Sequence, residues 1–242
     1  MDFERFLDVV PREAARLAVV TAPLLDERVP SCPDWTAREL VGHLWRVYWF
    51  WHAQVIAADP TDRVDPGDRP LDPDAEPGDA LELAAAELVE AMRGAGAGAS
   101  CWNWSGVNPT VSWLARRMAL ETAVHRYDGE LCAGTPGTID ADLAADGIDE
   151  YLRVHLFADI PDAPTATLGG TLCLACSDTG DAWTVEIGMG RLRVREGRGP
   201  ASACLLGPAS HLLLFVWNRI GVEGLELTGD PAVASAWAGL PH

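Results

Sequence analysis

With 242 residues, 48% of them hydrophobic and 22% charged, the chain has room for one or two packed cores and the composition of a soluble globular protein. Its formal charge of -18, from 36 acidic residues against 18 basic ones, repels phosphate backbones and anionic lipid, which excludes nucleic-acid and membrane-surface roles. Every base is an arginine, which excludes Schiff-base and other lysine chemistry.

The opening Met1-Asp2-Phe3-Glu4-Arg5 is acidic and lacks the basic region of a secretory signal, and the apolar run His211 to Trp217 is far below the roughly 20 residues that span a bilayer. A cytoplasmic protein is expected. Asp2 to Arg28 carries apolar residues at helical spacing and breaks at Val29-Pro30-Ser31-Cys32-Pro33. Thr36-Ala-Arg-Glu39 is a capping-box pattern that starts a second helix running to about Ala58. Leu40, Val41, Leu44, Trp45, Tyr48, Trp49 and Trp51 make that helix apolar almost all round, so it belongs at the centre of a core. Asp59 to Gly78 is an acidic, proline-rich loop. Helices follow over Gly78 to Arg93, Val111 to Ala133 and Ala141 to about Phe157, which completes a helical block over 1–160.

Beyond Ile160-Pro161 the texture becomes β-rich, with strands expected over Ala166 to Cys176, Trp183 to Ile187, Arg191 to Arg195, Ala203 to Leu206 and Leu225 to Thr228. Helices are expected from Pro208 to Arg219 and from Asp230-Pro231 onward. The fold class is therefore α plus α+β: a four-helix bundle over 1–160 and a small α+β domain over 165–242. The six cysteines show no disulfide-framework spacing and are expected to be reduced. Cys173-Leu-Ala-Cys176 lies in a strand-like run, where residues three apart point to opposite faces, so it is not read as a metal or redox pair.

Glu121 and His125 are four apart on the fourth helix and share a face, with Arg117 and Asp128 on the same stripe. Spacing alone also suits the solvated face of an amphipathic helix with ordinary ion pairs. His43 adds a second observation, because an imidazole in a nearly all-apolar helix must find a partner. A core histidine bonded to a carbonyl satisfies that need. So does a site between facing helices, in which His43, Glu121 and His125 supply three ligands and leave an open position, as in catalytic zinc centres. His52 lies on the opposite side of its helix from His43 and is a poorer candidate. Asp128 is a candidate to orient an imidazole from behind the ligands. Arg219 offers a planar fork for a substrate carboxylate, or else a cation at a helix C-terminus.

Three separated segments carry a resemblance. They are Val29-Pro-Ser-Cys-Pro-Asp-Trp-Thr-Ala-Arg-Glu-Leu-Val-Gly-His43-Leu, Trp113-Leu-Ala-Arg-Arg-Met-Ala-Leu-Glu121-Thr-Ala-Val-His125-Arg-Tyr-Asp128, and Asp146-Gly-Ile-Asp-Glu-Tyr-Leu152. They closely resemble the mycothiol-dependent maleylpyruvate isomerase family. The tail from Gly207 to Arg219, with Leu227-Thr-Gly-Asp-Pro231, is similar to that family's C-terminal domain, which is related to sterol carrier proteins.

The resemblance implies a DinB-like four-helix bundle that holds Zn2+ or another divalent metal through His43, Glu121 and His125, with mycothiol as thiol cofactor or cosubstrate. Leu120 departs from the family, many of whose members carry a second histidine before the glutamate. The implied partners are mycothiol and a small-molecule electrophile, and a monomer or weak homodimer is expected. The implied activity is isomerisation of maleylpyruvate. A mycothiol S-transferase uses the same first step. A metal-dependent hydrolase with water at the open position and a non-catalytic small-molecule or lipid-binding protein are the other readings.

Overall fold

The computed structural model describes residues 1–67, 75–156, 170–188 and 191–237. The chain divides into two compact units, Met1–Gly137 and Thr138–His242.

The first unit is a bundle of four helices: α1 (Phe3–Thr21), α2 (Ala37–Ala57), α3 (Pro77–Ala95) and α4 (Val111–Cys132). Asp2 caps α1, and the expected extension to Arg28 is cut short by a tight turn containing Pro23. Both halves of the Thr36–Glu39 capping box form at the start of α2, which ends on the left-handed Ala58. The helices pack α4 on α1, α1 on α3 and α3 on α2, and α2 closes on α4. Gly129 permits the close approach of α4 to α1, since a Cβ there would fall 2.3 Å from Leu17 Cδ1. Tyr48 reaches from α2 to Thr122 on α4 at 2.6 Å, and Thr122 donates to the Met118 carbonyl. That bond pins the two helices together beside Glu121.

An element the sequence reading treated only as a break precedes α2. β1 (Arg28–Val29) and β2 (Cys32–Thr36) form a short antiparallel hairpin despite Pro30 and Pro33. Pro30 sits in the turn, and among the described residues β2 has only β1 beside it, so an absent proline N–H interrupts no ladder on the outer edge.

The second unit begins with α5 (Ala141–Glu150), which continues through a wider turn over Tyr151–His155. The boundary expected at 160 groups this helix with the bundle. The structure instead packs it against α6 (Ala209–Val216), whose residues are almost all buried. A five-stranded sheet completes the unit, from β3 (Gly170–Cys176), β4 (Ala182–Gly188), β5 (Arg191–Glu196), β6 (Ala203–Gly207) and β7 (Glu226–Gly229), in the order β5-β4-β3-β6-β7. β3 and β6 run parallel, and the other neighbours run antiparallel. The last helix, α7 (Pro231–Trp237), packs on β6, β3 and β7. Phe157 and the expected strand start at Ala166 fall outside the described residues. The expected α plus α+β class is the observed one.

Candidate metal centre

α4 is buried on nearly every side, so its polar residues are not the solvated stripe that its sequence also allowed. Asp128 is fully buried, and Arg117 and His125 are 4% and 8% exposed. Groups of this kind persist in an interior only when each finds a partner.

The structure brings His43, Glu121 and His125 together, with one ligand atom from each lying within 4.8 Å of the others. His43 Nε2 and His125 Nε2 each stand 3.4 Å from the same atom, Glu121 Oε1. The other carboxylate oxygen, Oε2, accepts from Arg117 at 2.6 Å. Behind His125, its Nδ1 meets Asp128 Oδ2 at 2.9 Å. With Asp128 Oδ2 accepting there, Nδ1 carries the proton in the neutral ring and the Nε2 lone pair faces Glu121. Two imidazole nitrogens and a carboxylate oxygen then converge on one point, in contacts that are long for hydrogen bonds.

That arrangement asks for a positive charge between them. A divalent cation with nitrogen and oxygen preferences fits the donor set, and the Asp128–His125 contact is the carboxylate–histidine pairing that orients metal-ligating imidazoles. Burial disfavours the His125 cation, but its hydrogen bonds to Asp128 and Glu121 prevail and raise its pKa to about 9. Burial likewise pushes Glu121 upward, yet Arg117 and the two histidines hold its carboxyl well below the ordinary range.

Ser31 and Trp35, both in the hairpin, were not singled out as site residues by sequence reasoning. The Ser31 hydroxyl donates to Asp128 Oδ1 at 2.6 Å, and the Cys32 thiol lies 3.9 Å from Oδ2. The Trp35 ring centroid is 4.7 Å from that of His43 and 6.2 Å from that of His125. Leu120, the departure from the family pattern, is buried apolar filling. His52 stacks on Trp49 and is not one of the clustered ligands. Arg219 lies in the second unit just past α6, where Nη1 donates to the Trp217 carbonyl at 2.8 Å.

The family model for the mycothiol maleylpyruvate isomerase N-terminal domain matches residues 8–129, half of the chain. The chain belongs to this family. The match includes His43, Glu121, His125 and Asp128, and Arg219 lies outside it. The crystal structure of a mycothiol-dependent maleylpyruvate isomerase superposes with a TM-score of 0.59 at 14% identity, covering 94% of this chain and 93% of that one. A histidine-to-alanine variant of such an enzyme gives 0.60 at 15% identity over the same shares. At these identities the likeness establishes the fold, and it spans both units. A sterol carrier protein 2-like 2 from Aedes aegypti matches 42% of the chain over its full length, with a TM-score of 0.32 and 16% identity. No curated protein matches the chain by sequence. Among the described residues, no helix is long and apolar enough to cross a membrane.

Proposed function

We propose that the protein is a metal-dependent enzyme that activates mycothiol as a thiolate for addition to a small electrophile, with maleylpyruvate as the substrate of first choice. The observation that carries this reading is the convergence of His43 Nε2 and His125 Nε2 on Glu121 Oε1, with Asp128 behind His125. A bound divalent cation, zinc being the natural candidate, supplies the charge that lowers a thiol pKa and so provides a nucleophile at neutral pH.

The chain's own residues then have defined work. His43, Glu121 and His125 would hold the cation, and three protein ligands would leave a position for the thiol. Asp128 keeps the His125 proton on Nδ1, so that Nε2 stays a donor. Arg117 occupies Glu121 Oε2 and leaves Oε1 facing the two histidines. In the isomerisation, the thiolate adds to the conjugated double bond of maleylpyruvate, the resulting single bond rotates, and elimination of the thiolate returns fumarylpyruvate. The thiol is recovered unchanged. An S-transferase stops after addition and consumes it.

The test of the whole reading is conversion of maleylpyruvate by metal-loaded protein with and without mycothiol. Turnover only with the thiol, at constant thiol concentration, supports the isomerase. Loss of thiol in step with product identifies the transferase, and thiol-independent turnover contradicts both.

A further inference from the structure

The two imidazoles of the candidate centre are held by different devices. His125 is fixed by a hydrogen bond from its far nitrogen to Asp128. His43 has no such bond: among the described residues its Nδ1 has no hydrogen-bond partner. The torsion that turns an imidazole about its stem is broad, so a ring without a bond at its far nitrogen needs another restraint to present Nε2 in one direction. Trp35 lies against His43 at a 4.7 Å centroid separation, with the two planes tilted by 35°. Aromatic contacts of this kind hold ring orientation as well as burying area.

The same hairpin also acts on the other imidazole. Ser31 donates to Asp128 Oδ1, while Oδ2 faces His125, so the carboxylate is held at both oxygens. We propose, resting on the metal-site reading above, that the β1–β2 hairpin positions both histidines, Trp35 by packing on His43 and Ser31 by fixing Asp128 behind His125.

The hairpin is well anchored for this role. Val29 is fully buried, and the Ala37 and Arg38 amides donate to the carbonyls of Glu27 and Leu25, both at 2.9 Å. Arg28 donates across the hairpin to the Asp34 carbonyl at 2.9 Å. Thr36, which ends β2, is the cap of α2, so the strand that carries Trp35 passes directly into the helix that carries His43. The Cys132 thiol, at the end of α4, lies 3.5 Å from the Arg28 carbonyl. Both ligand-bearing helices therefore meet the hairpin, and it can set the distance and orientation between their histidines without contributing a ligand.

The test measures cobalt(II) and zinc affinity by chelator competition on the full chain, with the visible spectrum of the cobalt form as a report on ligand geometry. Trp35→Ala should weaken affinity about tenfold and alter the cobalt bands, and Trp35→Phe should recover to within about threefold of wild type. Ser31→Ala should weaken affinity about threefold, since water can replace part of its bond. Trp104→Ala, in an exposed loop, should leave affinity and spectrum unchanged. If Trp35→Ala fails to fold, Trp35→Leu keeps apolar bulk without a ring. Weakened affinity at unchanged Tm in that variant supports the proposal, and wild-type affinity overturns it. A Trp35→Ala protein that binds cobalt as wild type, with the same bands, also overturns the proposal while leaving the metal site standing. A wild-type chain that binds neither metal defeats the metal-site reading itself.

Discussion

α4 carries two buried polar clusters built from the same kinds of residue, and only one of them is left open. Around Glu130, both carboxylate oxygens are consumed: Oε1 by Arg16, and Oε2 by Arg126 at 2.6 Å and the Gly137 amide at 2.8 Å. Arg126 in turn donates to Glu13 at 2.7 Å. Charge and hydrogen bonding are reciprocated, and the cluster ties α1 to α4 with nothing left over. Around Glu121, one oxygen accepts a short bond from Arg117, and the other faces two imidazole nitrogens at 3.4 Å. The difference teaches that buried charge is not by itself a sign of chemistry. The sign is a convergence of two imidazole nitrogens and a carboxylate oxygen on one point at long contact.

Substitutions can break that comparison in order of expected size. His43→Ala, Glu121→Ala and His125→Ala should each abolish stoichiometric metal binding, whereas His52→Ala should retain one metal per chain, as read by elemental analysis after dialysis. Full occupancy in any of the three would sink the ligand assignment. Glu130→Gln should do the reverse. It leaves the buried Arg126 short of a partner and should cost about 3 kcal/mol in denaturant unfolding, with metal content unchanged. Asp128→Asn keeps the shape behind His125 but removes the carboxylate, and should weaken metal affinity about 10–100-fold with a smaller change in stability.

The smallest effect concerns pH. Burial raises the Glu130 pKa, but the Gly137 amide, Arg16 and Arg126 outweigh it and hold the carboxyl below its ordinary value of 4.5 in the folded chain. A carboxylate with a depressed folded pKa stabilises the fold above its unfolded pKa and loses that contribution as the pH falls. The Tm difference between wild type and Glu130→Gln should therefore be constant near neutrality and narrow below about pH 4.5. A difference that widens on acidification would contradict the closed-cluster account.

How far these features were legible in the sequence follows from the range of the interactions. The Thr36–Glu39 box and the Glu121–His125 pair are three and four residues apart, so the spacing already carries the geometry. His43 stood out because it interrupts an apolar helix. Ser31 and Asp128 are 97 residues apart, and Glu13 and Arg126 are 113 apart, so no local pattern relates them. The hairpin that delivers Ser31 and Trp35 was hidden by Pro30 and Pro33, which read as a break. α5 shows the same limit at the level of domains. Its amphipathic pattern announces a buried face, but whether that face meets α6 or the bundle is decided by packing with residues nearly 70 positions on.

The central claim is an open metal centre that accepts a thiol, and the most direct test is a titration of cobalt-substituted protein with mycothiol. The account expects one metal per chain and a thiolate-to-cobalt absorption band that grows to one thiol per metal, absent in His125→Ala. A fully loaded protein whose spectrum does not respond to the thiol would contradict it.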